Sequence, residues 1–381
     1  MGVRMPTEQT VQYRLLTPAY IGGAGQEVHG FRPASYKGVL RFWWRAMVWA
    51  DIRARCETDT DALQALHAAE ARVFGSATDD RGGRQSSVLL SVSTASFQQS
   101  AGPTARPGLN YLRGQGLASR RALGVGTFGV RLTAKPASRA GDSALSESEW
   151  LSLLDAANLV GLVGGVGSGS RSGWGSVCVD GSDVDRLQTE LQVLADRYRW
   201  RTASGEPPFS AFSALSRVDV SVPDGSSALD VLDSVGCAQM TFRQGPIGAE
   251  SRDKPFVDDA RMAAGVLAGK PPGRLPRRAV FGLPHSYRFA GEGGGRVSFD
   301  AGGERRTRRA SPLFTHVHAD GARYAAIQTV LPSRFLPEGD HVVVNRRYEL
   351  EPNPDWGVLD GYLDSFEERV SVLEPRTEMA P

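Results

Sequence analysis

Hydrophobic positions recur along this chain at two spacings. Val11, Tyr13 and Leu15 alternate with polar neighbours, so Thr10 to Leu16 reads as a half-buried strand. A glycine-bearing turn, Pro18 to Gly30, leads to Ser35 as a plausible N-cap and a helix from Tyr36 to about Arg55. A second helical piece, Asp61 to Phe74, closes at Gly75. Val88 to Phe97 and Thr127 to Ala134 are strand candidates separated by a polar Gly/Pro loop. Glu147 to Val163 has a helical pattern, and a glycine run then leads into a short strand, Ser176 to Val179. This β-α-β-β-α-β order predicts a four-stranded antiparallel sheet with both helices on one face.

A helix from about Val184 to Tyr198 follows, and Thr202 to Pro208 (TASGEPP) has the composition of a linker. Beyond it, Ser216 to Val222 and Gln239 to Arg243 are strand-like, Val257 to Leu267 is helical, and Val280 to Phe289, Leu313 to Val317 and Tyr324 to Leu331 are strand-like again. Asp355 to Val370 reads as a late helix. The expectation is an α+β protein of two domains, residues 1–200 and 201–381, each with an antiparallel sheet.

Three segments carry candidate chemistry. In the first helix, Tyr36, Leu40, Trp43, Met47 and Ala50 fall on one face, while Lys37, Arg41 and Arg45 stand four apart on another. Cations with Phe42, Trp44 and Trp49 at their edges suit a phosphate backbone with stackable bases; the alternative is a solvated basic face beside an aromatic core. The run Gly161 to Gly175 holds seven glycines, with Ser168, Ser170, Arg171, Ser172 and Trp174 between them. Glycines such as Gly164, Gly165, Gly167 and Gly173 let successive amides point into one concavity, where an anion binds, and Arg171 and the hydroxyls add donors. Trp174 would stack on a base or anchor the following strand. Within this glycine loop there is no Walker A, GxGxxG or GxSxG pattern.

The third segment is the histidines. His29, close to Glu27, is either a general base for ribonuclease chemistry or a hydrogen-bonding surface residue. His316 and His318 alternate on a strand and so share a face, but two ligands do not close a zinc site. No metal or nucleotide cofactor is expected.

Composition narrows the classes. At 381 residues, 41% hydrophobic and 23% charged, the chain has the make-up of a globular protein of two or three domains. No apolar run of eighteen or more exists, and no secretion signal is read at the N-terminus, so no membrane association is expected. Cys56, Cys178 and Cys237 lie far apart, which fits a reducing cytoplasm. Net charge is only +2, so basicity must be local: Arg274 to Arg309 is strongly basic, Glu338 to Glu378 mostly acidic.

Several phrases, taken in order, resemble one family: TPAYIGG (Thr17 to Gly23), RPASYKGVLRFWWRA (Arg32 to Ala46), EARVFGS (Glu70 to Ser76), GGVGSGSRSGWGS (Gly164 to Ser176), FGLPHSY (Phe281 to Tyr287), RRASPL (Arg308 to Leu313) and FLP (Phe335 to Pro337). They look like the RAMP superfamily and, within it, the head subunit named first in the Cmr series of type III-B CRISPR effector complexes. The resemblance leaves Gln98 to Gly126 and Gly181 to Ala238 unassigned. It implies two ferredoxin-like (RRM-like) domains, contact with guide RNA and target RNA in antiviral defence, other Cmr-type RAMP subunits as partners, and no catalytic role. Carried over by position, Lys37, Arg41, Trp44 and Arg45, the glycine loop from Gly164 to Trp174, and Arg308 and Arg309 before SPL are the implied RNA-binding residues. The central strands lack an aromatic RNP pair, so base reading on the sheet face is not expected.

Overall fold

The computed structural model describes residues 7–22, 31–77, 83–100, 106–136, 144–223, 225–246, 255–291, 294–302, 308–321 and 323–375. The first half runs β1 (Glu8–Leu15), α1 (Pro33–Arg53), α2 (Asp59–Phe74), β2 (Val88–Ser100), α3 (Pro107–Leu117), β3 (Ala122–Ala134), α4 (Glu147–Val163) and β4 (Val177–Val179). Its sheet has the order β2-β3-β1-β4, antiparallel throughout, which is the ferredoxin-like order. Tyr13 shows how strand and helices lock together: its hydroxyl donates to the Ala157 carbonyl on α4 at 2.6 Å and meets the Tyr36 hydroxyl on α1 at 2.5 Å. The ring is fully buried and stacks on Phe128 of β3.

Local signals set most of these boundaries. A capping box of Ser146 and Glu149 opens α4, and the Thr58 side chain caps α2. Helix α1 begins earlier than expected: Arg32 is its N-cap and Pro33, pre-set to helical φ, occupies the first turn, so Ser35 lies inside. The segment expected as a loop between the second and third strands contains α3, again opened by a proline.

The second half contains a second ferredoxin-like core, made of β5 (Arg217–Ser221), α6 (Ala228–Gln244), β8 (Leu313–Asp320), β9 (Arg323–Val330), α8 (Gly357–Asp364) and β12 (Arg369–Leu373), with sheet order β12-β5-β9-β8. Two insertions obscure it. One carries α7 (Val257–Leu267), β6 (His285–Phe289) and β7 (Gly295–Ala301), the other β10 (Val342–Val344) and β11 (Tyr348–Leu350); together they form a third sheet, β11-β10-β7-β6, with its own core. Three expectations are corrected here. Gln239 to Arg243 is the end of α6, whose Val231, Leu232 and Val235 bury a helical stripe after the Ser227 cap. Val280 to Phe289 splits into a 3-10 turn, Arg277–Phe281, and β6. Asp355 to Val370 splits into α8 and β12, since Arg369 to Leu373 pairs with β5.

Between the halves lie α5 (Val184–Arg197) and a 3-10 turn at Trp200–Thr202. The connecting TASGEPP segment buries Ala203 and Pro207 and is anchored by contacts beside it and within it. Trp200 stacks on Phe212 with centroids 3.7 Å apart and donates to the Met47 carbonyl, and Arg334 N–H donates to the Pro207 carbonyl. One hydrophobic cluster therefore spans both sheets, from Tyr13 to Leu373. Among the described residues no helix is long and apolar enough to cross a membrane.

Candidate nucleic-acid groove

Two clefts of 470 Å³ each lie end to end, sharing Phe42 and Arg171. The first is walled by the α1 face Ser35, Gly38, Val39 and Phe42, by Tyr20 after β1, and by Gly165, Gly167, Ser168 and Ser170 of the glycine loop. The second is walled by Phe42 and Arg45, by His67 of α2, and by Arg308, Arg309, Arg334 and Phe335 of the second half. The loops after β1 and after α4 meet there because a ferredoxin-like order brings both to the same end of the sheet.

Arg171 stands at the junction. Its guanidinium lies over the Phe314 ring, 4.2 Å from the centroid, and 5.5 Å from that of Phe42, and one Nη donates to the Ser311 carbonyl. Burial, with Arg309 next in effect, pulls its pKa down to about 10. The two cations favour negative charge at this point, and the low dielectric strengthens a charge pair formed there. Arg120 reaches Ser168 Oγ at 3.3 Å from the other rim. Arg309 is held by the Phe335 carbonyl, the Ala310 carbonyl and Ser333 Oγ, and Arg308 beside it is exposed.

The groove thus gathers Gly165, Gly167, Ser168, Ser170, Arg171, Arg45, Arg308 and Arg309 from the expected set, and leaves others elsewhere. Lys37 donates to the Phe74 carbonyl at 2.9 Å, and burial lowers its pKa. Arg41 and Arg45 both bond Glu70 Oε1, at 2.8 and 3.2 Å, and that carboxylate is buried. The cationic stripe therefore faces α2, because Glu70 on the partner helix supplies the countercharge. Trp44 is buried and donates to Ser152 Oγ at 2.9 Å, and Trp49 and Trp174 are buried too, so none offers a face to a base. Trp174 takes the anchoring alternative, packing edge-on to Tyr20.

The remaining glycine-loop residues hold the two halves together. Thr315 N–H donates to the Arg171 carbonyl, Ser172 forms a parallel bridge with Thr315, and the Gly173 carbonyl accepts from Thr17 and Ser176 hydroxyls. Gly164 offers its carbonyl to His316. His316 and His318 do share a face, but it is buried against this loop. No group of three metal-ligating side chains occurs among the described residues. His29 lies outside the described residues. Sequence reasoning misses Arg120, Arg334 and Phe314, and it does not separate Phe42 from the buried aromatics around it. Arg120 sits in a segment without a recognisable pattern, and nothing in the helical period tells Phe42 from Trp44 or Trp49.

Comparison with known proteins agrees with this architecture. The RAMP superfamily profile matches residues 12–178, from within β1 to within β4. The whole chain shares its fold with the crystal structure of apo Cmr1 from Pyrococcus furiosus, at a TM-score of 0.55 and 17% identity over 97% of this chain and 99% of that one. A chain in the cryo-EM structure of the type III-B Cmr-beta complex bound to cognate target RNA aligns at a TM-score of 0.47 and 12% identity, over 93% of this chain and 98% of that one. No curated protein sequence matches the chain.

Proposed function

We propose that this protein is a non-catalytic RNA-holding subunit of a type III-B CRISPR ribonucleoprotein, gripping guide or target RNA by its backbone while base pairing supplies specificity. The observation that carries the reading is the groove junction, where the glycine loop, α1 and the second half converge on Arg171 with Arg45, Arg308 and Arg309 along the same trough. The RAMP match, the fold shared with Cmr1 and the ordered series of motifs support the same assignment. Phe42, partly exposed beside Arg171, supplies a ring for one base, and the cations supply a sequence-independent grip. Neighbouring RAMP-type subunits would continue the trough.

The test is fluorescence anisotropy with single-stranded RNAs of unrelated sequence across a salt series. The combined Arg120→Gln, Arg308→Gln, Arg334→Gln variant should bind all of them more weakly by a similar factor. The salt slope should become shallower by about 0.7 for each phosphate that is no longer neutralised. Undiminished affinity in a variant that melts like the parent would reject the reading in favour of a purely protein-contacting scaffold. RNA cutting by the purified chain would reject its non-catalytic part.

A further inference from the structure

A second cationic cluster lies under the FGLPHSY segment, and none of its residues lines the groove. Arg243 ends α6 and lays its guanidinium over Phe281, 4.6 Å from the ring centroid. Arg278, in the 3-10 turn, lies 4.9 Å from the Tyr287 centroid and donates to the Arg243 carbonyl at 2.9 Å. His285 and Tyr287 alternate on β6 with their rings 4.9 Å apart, edge to face. Tyr111 on α3 accepts from Arg243 Nη1 at 2.8 Å.

The polar atoms of the cluster are under-paired, the Tyr287 hydroxyl beside Arg278 among them. The Nε of Arg243, the Nε of Arg278 and the Nε2 of His285 are all buried without a hydrogen-bond partner. Among the described residues no carboxylate pairs with either guanidinium. The nearby Asp259 is taken by Arg274, at 2.7 Å, and by the backbone N–H of Arg278. Arg217, by contrast, is neutralised by Asp219 and Asp364 at 2.7 Å each. Buried donors are ordinarily satisfied, and two coupled cations without a countercharge are costly.

We infer that Arg243, Arg278 and His285 form an oxyanion site that takes a phosphate group. Three unpaired nitrogens from three side chains suit a tetrahedral anion with several oxygens, whereas a planar carboxylate is met by one guanidinium fork. The aromatic faces of Phe281 and Tyr287 fix both guanidiniums in place beforehand, so binding costs little rotamer entropy. Burial first, then Arg278 and Arg243, holds the His285 pKa at about 3, so the imidazole beside the two guanidiniums is neutral.

Titration with inorganic phosphate tests this, by calorimetry and by thermal melts at ionic strength held constant with chloride. The intact protein should bind phosphate saturably and melt higher with it. Arg243→Gln and Arg278→Gln should each weaken binding about tenfold, as removal of a charge-assisted bond does. Should either fail to fold, Arg278→Lys, which keeps charge but gives up the fork, and His285→Phe provide the same comparison. The Arg308→Gln groove variant should keep full phosphate affinity, so failure here and failure of the RNA reading give different results. Competition by a dinucleotide bearing a 5′-phosphate, but not by its 5′-hydroxyl form, would assign the phosphate to an RNA end; no competition by either would assign it to a free anion. Absence of saturable phosphate binding, equal binding by all variants, or binding of a tetraglutamate peptide in its place would overturn the inference.

Discussion

The Nδ1 atom of His316 lies 2.6 Å from the carbonyl oxygen of Gly164, so the second sheet is fastened to the glycine loop of the first through an imidazole. The other ring nitrogen faces His318 Nδ1 at 3.4 Å, and both rings are buried. Burial, then the neighbouring imidazole, takes the His316 pKa down to about 3; burial, then Arg14, takes that of His318 to about 4.

A pH dependence follows. Both histidines are neutral when folded down to about pH 4, whereas the unfolded chain protonates them near 6.5. The unfolded state therefore binds more protons across that window, and stability falls as pH drops from about 6.5 toward 4. The slope is up to about 1.4 kcal/mol per pH unit for each histidine. His285 has the same sign, so it retains a share. Urea midpoints between pH 7.5 and 5 should fall steeply for the parent and about a third as steeply for the His316→Gln, His318→Gln pair. Equal slopes would contradict this.

Arg41 is expected to be a stability residue. With Arg45 it shares the buried oxygen of Glu70, so Glu70→Ala strands two cations and Arg41→Gln weakens the α1–α2 contact. The guanidiniums are over one-third exposed, which screens the interaction. Glu70→Ala should therefore cost about 1–3 kcal/mol, below the figure for a fully buried pair. Arg41→Gln should lower the denaturation midpoint while leaving RNA affinity within about twofold. A large drop in affinity at unchanged stability would return Arg41 to the groove.

These two cases mark where the sequence is legible. Helix α1 is recognisable from its period, and Tyr36, Leu40, Trp43, Met47 and Ala50 are all buried as that period requires. The period cannot say which element covers the opposite face, and here α2 brings Glu70 to it. The first sheet is readable because its strands follow one another with few interruptions. The second is blurred by α7, β6, β7, β10 and β11, which separate strands that pair across long stretches of chain, as Arg217 does with Val330. The glycine loop stands out in the sequence, but much of its polar capacity turns toward β8, a contact that depends on tertiary docking alone.

Trp174 and Gly175 should tolerate nothing. Trp174 is wholly buried between Tyr20 and α6, so Trp174→Ala is expected to cost about 3–5 kcal/mol. Gly175 has φ +69°, and a Cβ there would sit 2.0 Å from the Val166 carbonyl oxygen. Gly175→Ala must therefore move backbone, and thermal melts should fall for both variants by several degrees or more. A Gly175→Ala protein melting with the parent would mean that the loop rearranges freely.

Gly38 is the opposite kind of glycine, and it gives the sharpest test of the groove. It sits in the interior of α1, where glycine costs about 0.5–1 kcal/mol relative to alanine. No heavy atom lies within 4 Å of a Cβ placed on it, so packing does not require its absence. What lies there is the first cleft, with Ser168 and Ser170 on the facing wall. Gly38→Ala should raise stability by about 0.5–1 kcal/mol and leave RNA binding nearly unchanged, since one methyl occupies little of a 470 Å³ cleft. Gly38→Trp keeps the helix but projects an indole into the trough, and should weaken binding of every RNA while the melting temperature holds. The pair separates space from stability: one substitution changes only the helix, the other chiefly the cleft. Normal RNA affinity in a folded Gly38→Trp protein would place the RNA path elsewhere on the molecule.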